Sequence, residues 1–170
     1  IDFGENKVQE AMDKWSKIKK KNKDIKLHMI GKLQTNKVKY AINLFDYIHS
    51  LDSLKLAKKI SEEQNKNKKK LKIFIQINIG REEQKSGIDV EELNNFYKFC
   101  INDLDLDIIG LMCLPPINSN ASKYFQEMEK LAKNISLKNL SIGMSEDYLA
   151  AVENGGNFLR IGSKIFGKRT

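Results

Sequence analysis

A chain of 170 residues and 19.6 kDa, 41% of them hydrophobic, is long enough to bury one sizeable core and is expected to form a single domain over residues 1–170. The net charge of +8 raises nucleic-acid binding, but the lysines spread over every expected helix face and the aromatics do not interleave with them as base-stacking platforms would, so no nucleic-acid partner is expected. No apolar run approaches the ~20 residues of a membrane helix, and Cys100 and Cys113 form no metal or redox motif at their spacing; they suit a reducing, cytoplasmic setting with no membrane and no metal.

The chain opens at Ile1-Asp2-Phe3 without an initiator Met, as a fragment or processed form would. Phe3-Gly4-Glu5-Asn6 reads as the end of a strand, followed by a helix with Val8, Met12, Trp15 and Ile18 at helical spacing. A short strand from Ile25 to Ile30 ends in Gly31, and the next helix starts near Asn36 with Val38, Ile42 and Phe45 on one face. Tyr47 to Leu51 is another strand, after which Asp52 or Ser53 caps a helix with Leu54, Ala57 and Ile60 facing inward. The lysine-rich run from Asn65 to Lys70 reads as a solvated connection.

Lys72 to Asn78 is the clearest strand, with Ile73, Ile75 and Ile77 on one face and Phe74, Gln76 and Asn78 on the other. A polar, mobile loop from Gly80 to Gly87 leads to a helix from about Asp89 to Asn102 that uses Val90, Leu93, Phe96 and Cys100. Leu106 to Met112 is a nearly continuous apolar strand of the kind found in sheets covered on both faces. Its helix, near Ser122 to Ile135, buries Phe125, Met128 and Leu131 or their neighbours.

The last stretch, Asn139 to Gly167, carries the strongest site signal. Strand Leu140 to Ile142 ends in Gly143-Met144-Ser145, with Ser145 placed as N-cap and Glu146 and Asp147 in a first helical turn that closes at Gly155-Gly156. Strand Phe158 to Ile161 then ends in Gly162-Ser163, followed by a short turn or helix through Phe166. Successive strand ends thus present hydroxyls and backbone N–H groups, the means of holding a phosphate without a Walker lysine. Arg160 shares its strand face with Phe158 and Gly162 and points into the sheet interior, where a guanidinium needs a partner. That partner is either a bound group or a structural ion pair.

Strand and helix alternate throughout, with seven strand ends, which predicts a parallel sheet with helical cover. Eight such units close a TIM-type (β/α)8 barrel, so the expected fold is that barrel with its first β/α unit missing or incomplete. An open doubly wound sheet is the competing architecture, but the first turn lacks the Gly-x-Gly-x-x-Gly fingerprint. In a barrel, Asn6, Gly31, Ser50, Asn78, Met112, Ser145 and Ser163 all fall at strand C-termini, the face where active sites are built. The turns at Ser145 and at Gly162-Ser163 then occupy the usual phosphate position, which points to a phosphorylated ligand.

Taken together, these residues resemble the pyridoxal phosphate homeostasis proteins, whose barrel is similar to the N-terminal domain of alanine racemase. The motifs that carry the resemblance run along the whole chain: Phe3-Gly4-Glu5-Asn6 with Gln9-Glu10, His28-x-Ile30-Gly31-x-Leu33-Gln34-x-Asn36-Lys37, Gln76-Ile77-Asn78, Lys85-Ser86-Gly87, Gly110-Leu111-Met112, Gly143-Met144-Ser145-x-Asp147, and Arg160-Ile161-Gly162 with Phe166-Gly167. The resemblance implies pyridoxal 5'-phosphate as cofactor, with Ser145 and the Gly162-Ser163 turn at its phosphate and Arg160 at its pyridine nitrogen. It further implies Asn6 near the ring's other polar groups, with Met144 close by. The family's Schiff-base lysine lies upstream of the Phe-Gly-Glu-Asn motif, so the resemblance places it before residue 1. Lys7 is not its equivalent, and Lys37 and Lys85, weighed as substitutes, read more simply as solvated loop lysines.

The function so implied is binding and delivery of the cofactor in vitamin B6 homeostasis, without catalysis and with pyridoxal-phosphate-dependent apo-enzymes as recipients. A racemase-like enzyme on the same barrel is the alternative, but it calls for a second domain and a partner tyrosine that this length does not accommodate; a basic nucleic-acid-binding module ranks third. A complete barrel is expected to be monomeric, whereas one lacking its first strand exposes two edges and is expected to be less stable or to self-associate. His28 and His49 read as strand histidines with local hydrogen bonds, Glu5, Glu146 and Asp147 as helix-start charges, and Trp15 as core.

Overall fold

The structure is a computed structural model, and it describes residues 1–167. The last three residues of the expected domain, 168–170, lie outside the described residues. Seven strands, β1 Asp2–Glu5, β2 Lys26–Met29, β3 Tyr47–Leu51, β4 Lys72–Ile77, β5 Asp107–Cys113, β6 Asn139–Met144 and β7 Phe158–Arg160, alternate with helices α1 Val8–Lys21, α2 Val38–Leu44, α3 Leu54–Asn67, α4 Leu93–Asn102, α5 Ala121–Asn134, α6 Tyr148–Glu153 and α7 Ser163–Phe166. Every pairing is parallel, and the strands stand in the sheet in sequence order.

That order excludes the doubly wound alternative, in which the strand order reverses partway along the sheet. The sheet also curls on itself. The Phe158 ring on β7 lies 6.2 Å from His28 on β2, 5.9 Å from Tyr47 on β3 and 4.9 Å from Phe74 on β4, contacts that a flat sheet forbids between strands so far apart in order. The architecture is therefore a TIM-type barrel, nearly closed by its seven strands, with β1 and β7 each paired on one side only among the described residues.

β4 shows the division of faces. Ile73, Ile75 and Ile77 turn outward into the layer beneath the helices, while Phe74 and Gln76 fill the interior, and all of them are buried. α1 covers its share of that layer with Val8, Ala11 and Trp15, and Ile18, expected on the same face, is 40% exposed. On α3 the buried stripe is Leu56, Ala57, Ile60, Ser61 and Gln64, and Leu54 is 52% exposed, contrary to expectation. The reason is the cap: Ser53 accepts from the Leu56 N–H, which sets the helix phase so that Leu54 in the first turn faces away from the sheet.

The lysine-rich run is not simply a connection. Its first three residues complete α3, Lys68 adopts a left-handed cap with φ 50°, and Lys69 donates to the Phe45 carbonyl at 2.9 Å. Glu5 is likewise more than a helix-start charge. Its buried carboxylate accepts from Trp15 Nε1 at 2.6 Å and from Lys14 at 2.8 Å, which anchors α1 over the end of β1. The loop after β4 is tied to the barrel: Gln76 Nε2 donates to the Ser86 carbonyl at 3.0 Å, and the Ile88 N–H donates to the Gln76 carbonyl at 2.8 Å.

Candidate functional site

A cleft of about 1430 Å³ opens at the C-terminal ends of the strands and runs into the barrel interior. Asn6, Met144, Ser145, Arg160, Gly162 and Ser163 all line it. Of the other strand-end residues, Gly31 and Asn78 also line it, whereas Ser50 and Met112 are buried in the wall.

Asn6 and Gly31 are locked together by close approach of their backbones. A Cβ on Gly31 would lie 2.3 Å from the Asn6 carbonyl oxygen and 2.8 Å from its Cα, atoms that cannot swing aside as a side chain can. Gly31→Ala is therefore expected to destabilise the protein by about 2–3 kcal/mol and to displace Asn6 from the rim. Urea unfolding measures the first effect, and an unchanged midpoint would show that β1 and β2 part without cost.

The two small-residue turns converge. The Gly162 N–H donates to Ser145 Oγ at 3.2 Å, so the turn after β7 is tied to the turn after β6. Among the described residues a Cβ on Gly162 would meet nothing within 4 Å. Ser145 does not cap α6. The cap position belongs to Asp147, whose carboxylate accepts from the Met144 N–H at 2.6 Å and closes a turn that delays the helix to Tyr148. Glu146 and Asp147 thus precede the helix, and the Ser145 O–H is left to donate toward the cleft.

Arg160 sits at the head of the interior. Its Nη1 donates to the Ser141 carbonyl at 2.5 Å and to Ser141 Oγ at 2.8 Å, while Nη2 donates to the Cys113 carbonyl at 2.9 Å. No carboxylate forms an ion pair with it among the described residues, so the structural ion pair weighed from the sequence is not found. Burial pulls its pKa down, opposed by the nearby Cys113 and Asp147. A guanidinium carries five N–H groups; among the described residues the bonds to Ser141 and Cys113 use three, leaving Nε–H and one Nη2–H for a ligand.

The two histidines are not independent strand residues. His28 Nδ1 lies 2.9 Å from His49 Nε2 inside the barrel, a pairing hidden in the sequence because 21 positions separate them. Tyr47 stacks on His28 at 4.1 Å, and His49 stacks on Phe74 at 4.4 Å. The one available signal was strand alternation, which puts His28, Tyr47, His49 and Phe74 on inward positions. Burial lowers the pKa of His28 and lowers that of His49 well below the ordinary imidazole value. It also pushes the Cys100 and Cys113 thiols up to about 12, so neither is a nucleophile near neutrality.

Lys32 and Lys85 are the lysines that line the cleft among the described residues. Lys85 is held by Glu82 at 2.5 Å and by the Pro115 carbonyl at 3.2 Å. Lys37 lies instead over the Tyr40 ring at 6.0 Å, and Lys7 pairs with Glu10 at 2.6 Å. Among the described residues no group of three or more His, Cys, Asp or Glu is placed to hold a metal, and no helix is long and apolar enough to cross a membrane.

Comparison with known proteins places this geometry. The model of the alanine racemase N-terminal domain matches residues 2–170. The chain is 37% identical over 176 residues to a pyridoxal phosphate homeostasis protein of Aquifex aeolicus, covering 98% of this chain and 76% of that protein. It is 34% identical over 176 residues to the Escherichia coli protein of the same name, covering 98% and 75%. The solved structure of PipY from Synechococcus elongatus with pyridoxal phosphate bound superposes with a TM-score of 0.88 at 31% identity, covering 97% of this chain and 81% of that one. Alanine racemase of Corynebacterium glutamicum, at 16% identity and a TM-score of 0.72, shares the fold over 98% of this chain and 47% of its own. The barrel, the strand-end motifs and these relatives agree: the chain belongs to the alanine racemase N-terminal domain family and, within it, to the pyridoxal phosphate homeostasis proteins.

Proposed function

We propose that this chain, acting as one binding unit over residues 1–170, binds pyridoxal 5'-phosphate and serves its homeostasis, holding the cofactor and handing it to apo-enzymes without turning over a substrate of its own. The observation that carries this reading is that the two strand-end turns, tied together by Gly162 and Ser145, line one cleft with Arg160, which has two N–H groups unbonded among the described residues. Ser145 and the Gly162-Ser163 turn hold the phosphate, as donors at a pair of barrel strand ends do. Arg160 turns its remaining N–H groups to the ring nitrogen, Asn6 reaches the ring's polar edge, and Met144, 42% exposed, covers one side.

Bound pyridoxal phosphate supplies an electrophilic aldehyde and an electron-withdrawing ring. An arginine at the ring nitrogen disfavours its protonation and so weakens that electron sink, which suits carriage better than carbanion chemistry. Neither buried thiol is poised as a base or nucleophile, and burial disfavours a charge on His49. Racemase barrels share the fold, so the racemase reading is tested directly by supplying alanine with the cofactor. Among the described residues the outer edges of β1 and β7 are unpaired, which favours self-association of these 170 residues, read by sedimentation.

Absorbance titration with pyridoxal phosphate tests the central reading. Saturable one-to-one binding, competed by inorganic phosphate, is the expected result, with no interconversion of alanine enantiomers. Ser145→Ala removes the hydroxyl that ties the turns together and is expected to weaken binding about tenfold. Absence of saturable binding, or loss of competition by phosphate, overturns the assignment.

A further inference from the structure

Beneath Arg160, side chains stand in hydrogen-bonding sequence across the barrel interior. Asp2 Oδ1 lies 3.0 Å from His28 Nε2, and His28 Nδ1 lies 2.9 Å from His49 Nε2. His49 Nδ1 lies 2.7 Å from Ser141 Oγ, which lies 2.8 Å from Arg160 Nη1. His28, His49 and Ser141 are buried, while the Asp2 side chain is 68% exposed, so the series begins at solvent and ends at the cofactor site.

Its two ends dictate its direction. A guanidinium only donates and a carboxylate only accepts. Arg160 therefore donates to Ser141 Oγ, whose own hydrogen goes to His49 Nδ1. His49 then carries its hydrogen on Nε2 and donates to His28 Nδ1, and His28 carries its hydrogen on Nε2 and donates to Asp2. Every member is satisfied with both imidazoles neutral. The opposite direction aims the Ser141 hydrogen at a group that cannot accept and sets a bare His28 Nε2 against a carboxylate.

The surrounding charges agree with neutral rings. Burial disfavours protonation of both, the Arg160 charge and any charge on His28 oppose it at His49, and Lys19 opposes it at His28. Asp2 and Asp46 favour it at His28. Tyr47 stacks on His28 and carries Lys72 over its own ring at 5.6 Å, and Phe74 and Phe158 close the remaining sides with carbon.

Resting on the reading that Arg160 faces the ring nitrogen, we propose that His28, His49 and Ser141 are positioning residues for Arg160, and that their one-way chain makes cofactor binding acid-sensitive. A proton taken from solvent gives His28 hydrogens on both nitrogens. His49 must then present a bare Nε2 and carry its hydrogen on Nδ1, so one proton is gained overall and His49 changes tautomer. Ser141 Oγ now faces donors from both sides and must turn its own hydrogen away. Arg160 keeps its acceptor in a rearranged site, with an added positive charge in the interior.

Long-range proton–nitrogen NMR on the ligand-free wild-type protein tests the chain without any cofactor. At neutral pH both imidazoles are expected to carry hydrogen on Nε2. On acidification below the ordinary imidazole value of 6.5, His28 is expected to become doubly protonated while His49 moves its hydrogen to Nδ1 in the same step. His49 protonated on Nδ1 at neutral pH, or unchanged through the His28 titration, overturns the proposal.

A second arm compares pyridoxal phosphate with its analogue in which C–H replaces the ring nitrogen. Ser141→Ala is expected to weaken pyridoxal phosphate binding about tenfold and to leave the analogue unaffected. The phosphate itself titrates near pH ~6, so the analogue supplies the baseline against which wild type loses affinity in acid and His28→Gln does not. Equal losses for both ligands overturn the positioning role. Wild-type protein that binds the two ligands alike overturns the reading of Arg160 itself, while the NMR result still decides the direction of the chain.

Discussion

Arg160→Ala is expected to weaken pyridoxal phosphate binding on the order of a hundredfold, the scale of one charge-assisted hydrogen bond lost together with the alignment it maintains. Arg160, proposed above to reach the ligand, also ties β7 to its neighbours, through the Ser141 carbonyl on β6 and the Cys113 carbonyl on β5. The ladder it reinforces is thin, since β6 and β7 share only the registers Ser141 with Phe158 and Met144 with Arg160, and these are out of step. Without the guanidinium, β7 loses a tether and the Gly162-Ser163 turn is left with its bond to Ser145, so phosphate and ring contacts are expected to weaken together. Arg160→Lys keeps the charge but not the planar fork that spans two carbonyls, and its affinity is expected to fall between wild type and Arg160→Ala. Absorbance titration reads both variants. An Arg160→Ala affinity within about threefold of wild type would mean that the residue is a strand tether alone.

Phe74→Ala is expected to cost about 3–5 kcal/mol of unfolding free energy, the largest stability effect of any substitution argued for this protein. The ring is fully buried inside the barrel, stacked on His49 and meeting Phe158 edge-on at 4.9 Å. Its fit depends on Gly110, where an added Cβ would lie 2.7 Å from Phe74 Cε1. The Phe158 contact joins β7 to β4 across the barrel, so nothing nearby collapses readily into the space left by alanine. Urea unfolding of Phe74→Ala and Phe74→Leu provides the measurement, with leucine expected to recover most of the loss. A cost below about 1 kcal/mol for alanine would show an interior that repacks freely.

The pieces of this fold are legible in the sequence because they obey short-range rules. Alternation along β4 is enough to separate Ile73, Ile75 and Ile77 from Phe74, Gln76 and Asn78, and the strand Tyr47–Leu51 lies where β-branched and aromatic residues fall between turn formers. Helix faces are less secure. Leu54 and Ile18 have the right spacing, but spacing does not settle which turn of a helix meets the sheet.

Ser145 shows the same boundary at the site. A serine after a strand and before Glu-Asp satisfies the local rule for an N-cap, yet its hydroxyl receives the Gly162 N–H from 17 positions away while Asp147 closes the turn instead. That exchange follows from strand closure, which no local rule encodes.

By itself, the sequence determined the alternation of strand and helix, the inward facing of Arg160 and the run of small hydroxylic residues at the last strand ends, because each depends on neighbours within a few positions. Only the tertiary structure decided what Arg160 binds, that Glu5 anchors Trp15, and that His28 and His49 join Asp2 and Ser141 in one hydrogen-bonded series. These are contacts between separate strands, and their geometry comes into being when the sheet curls and brings β7 across from β2.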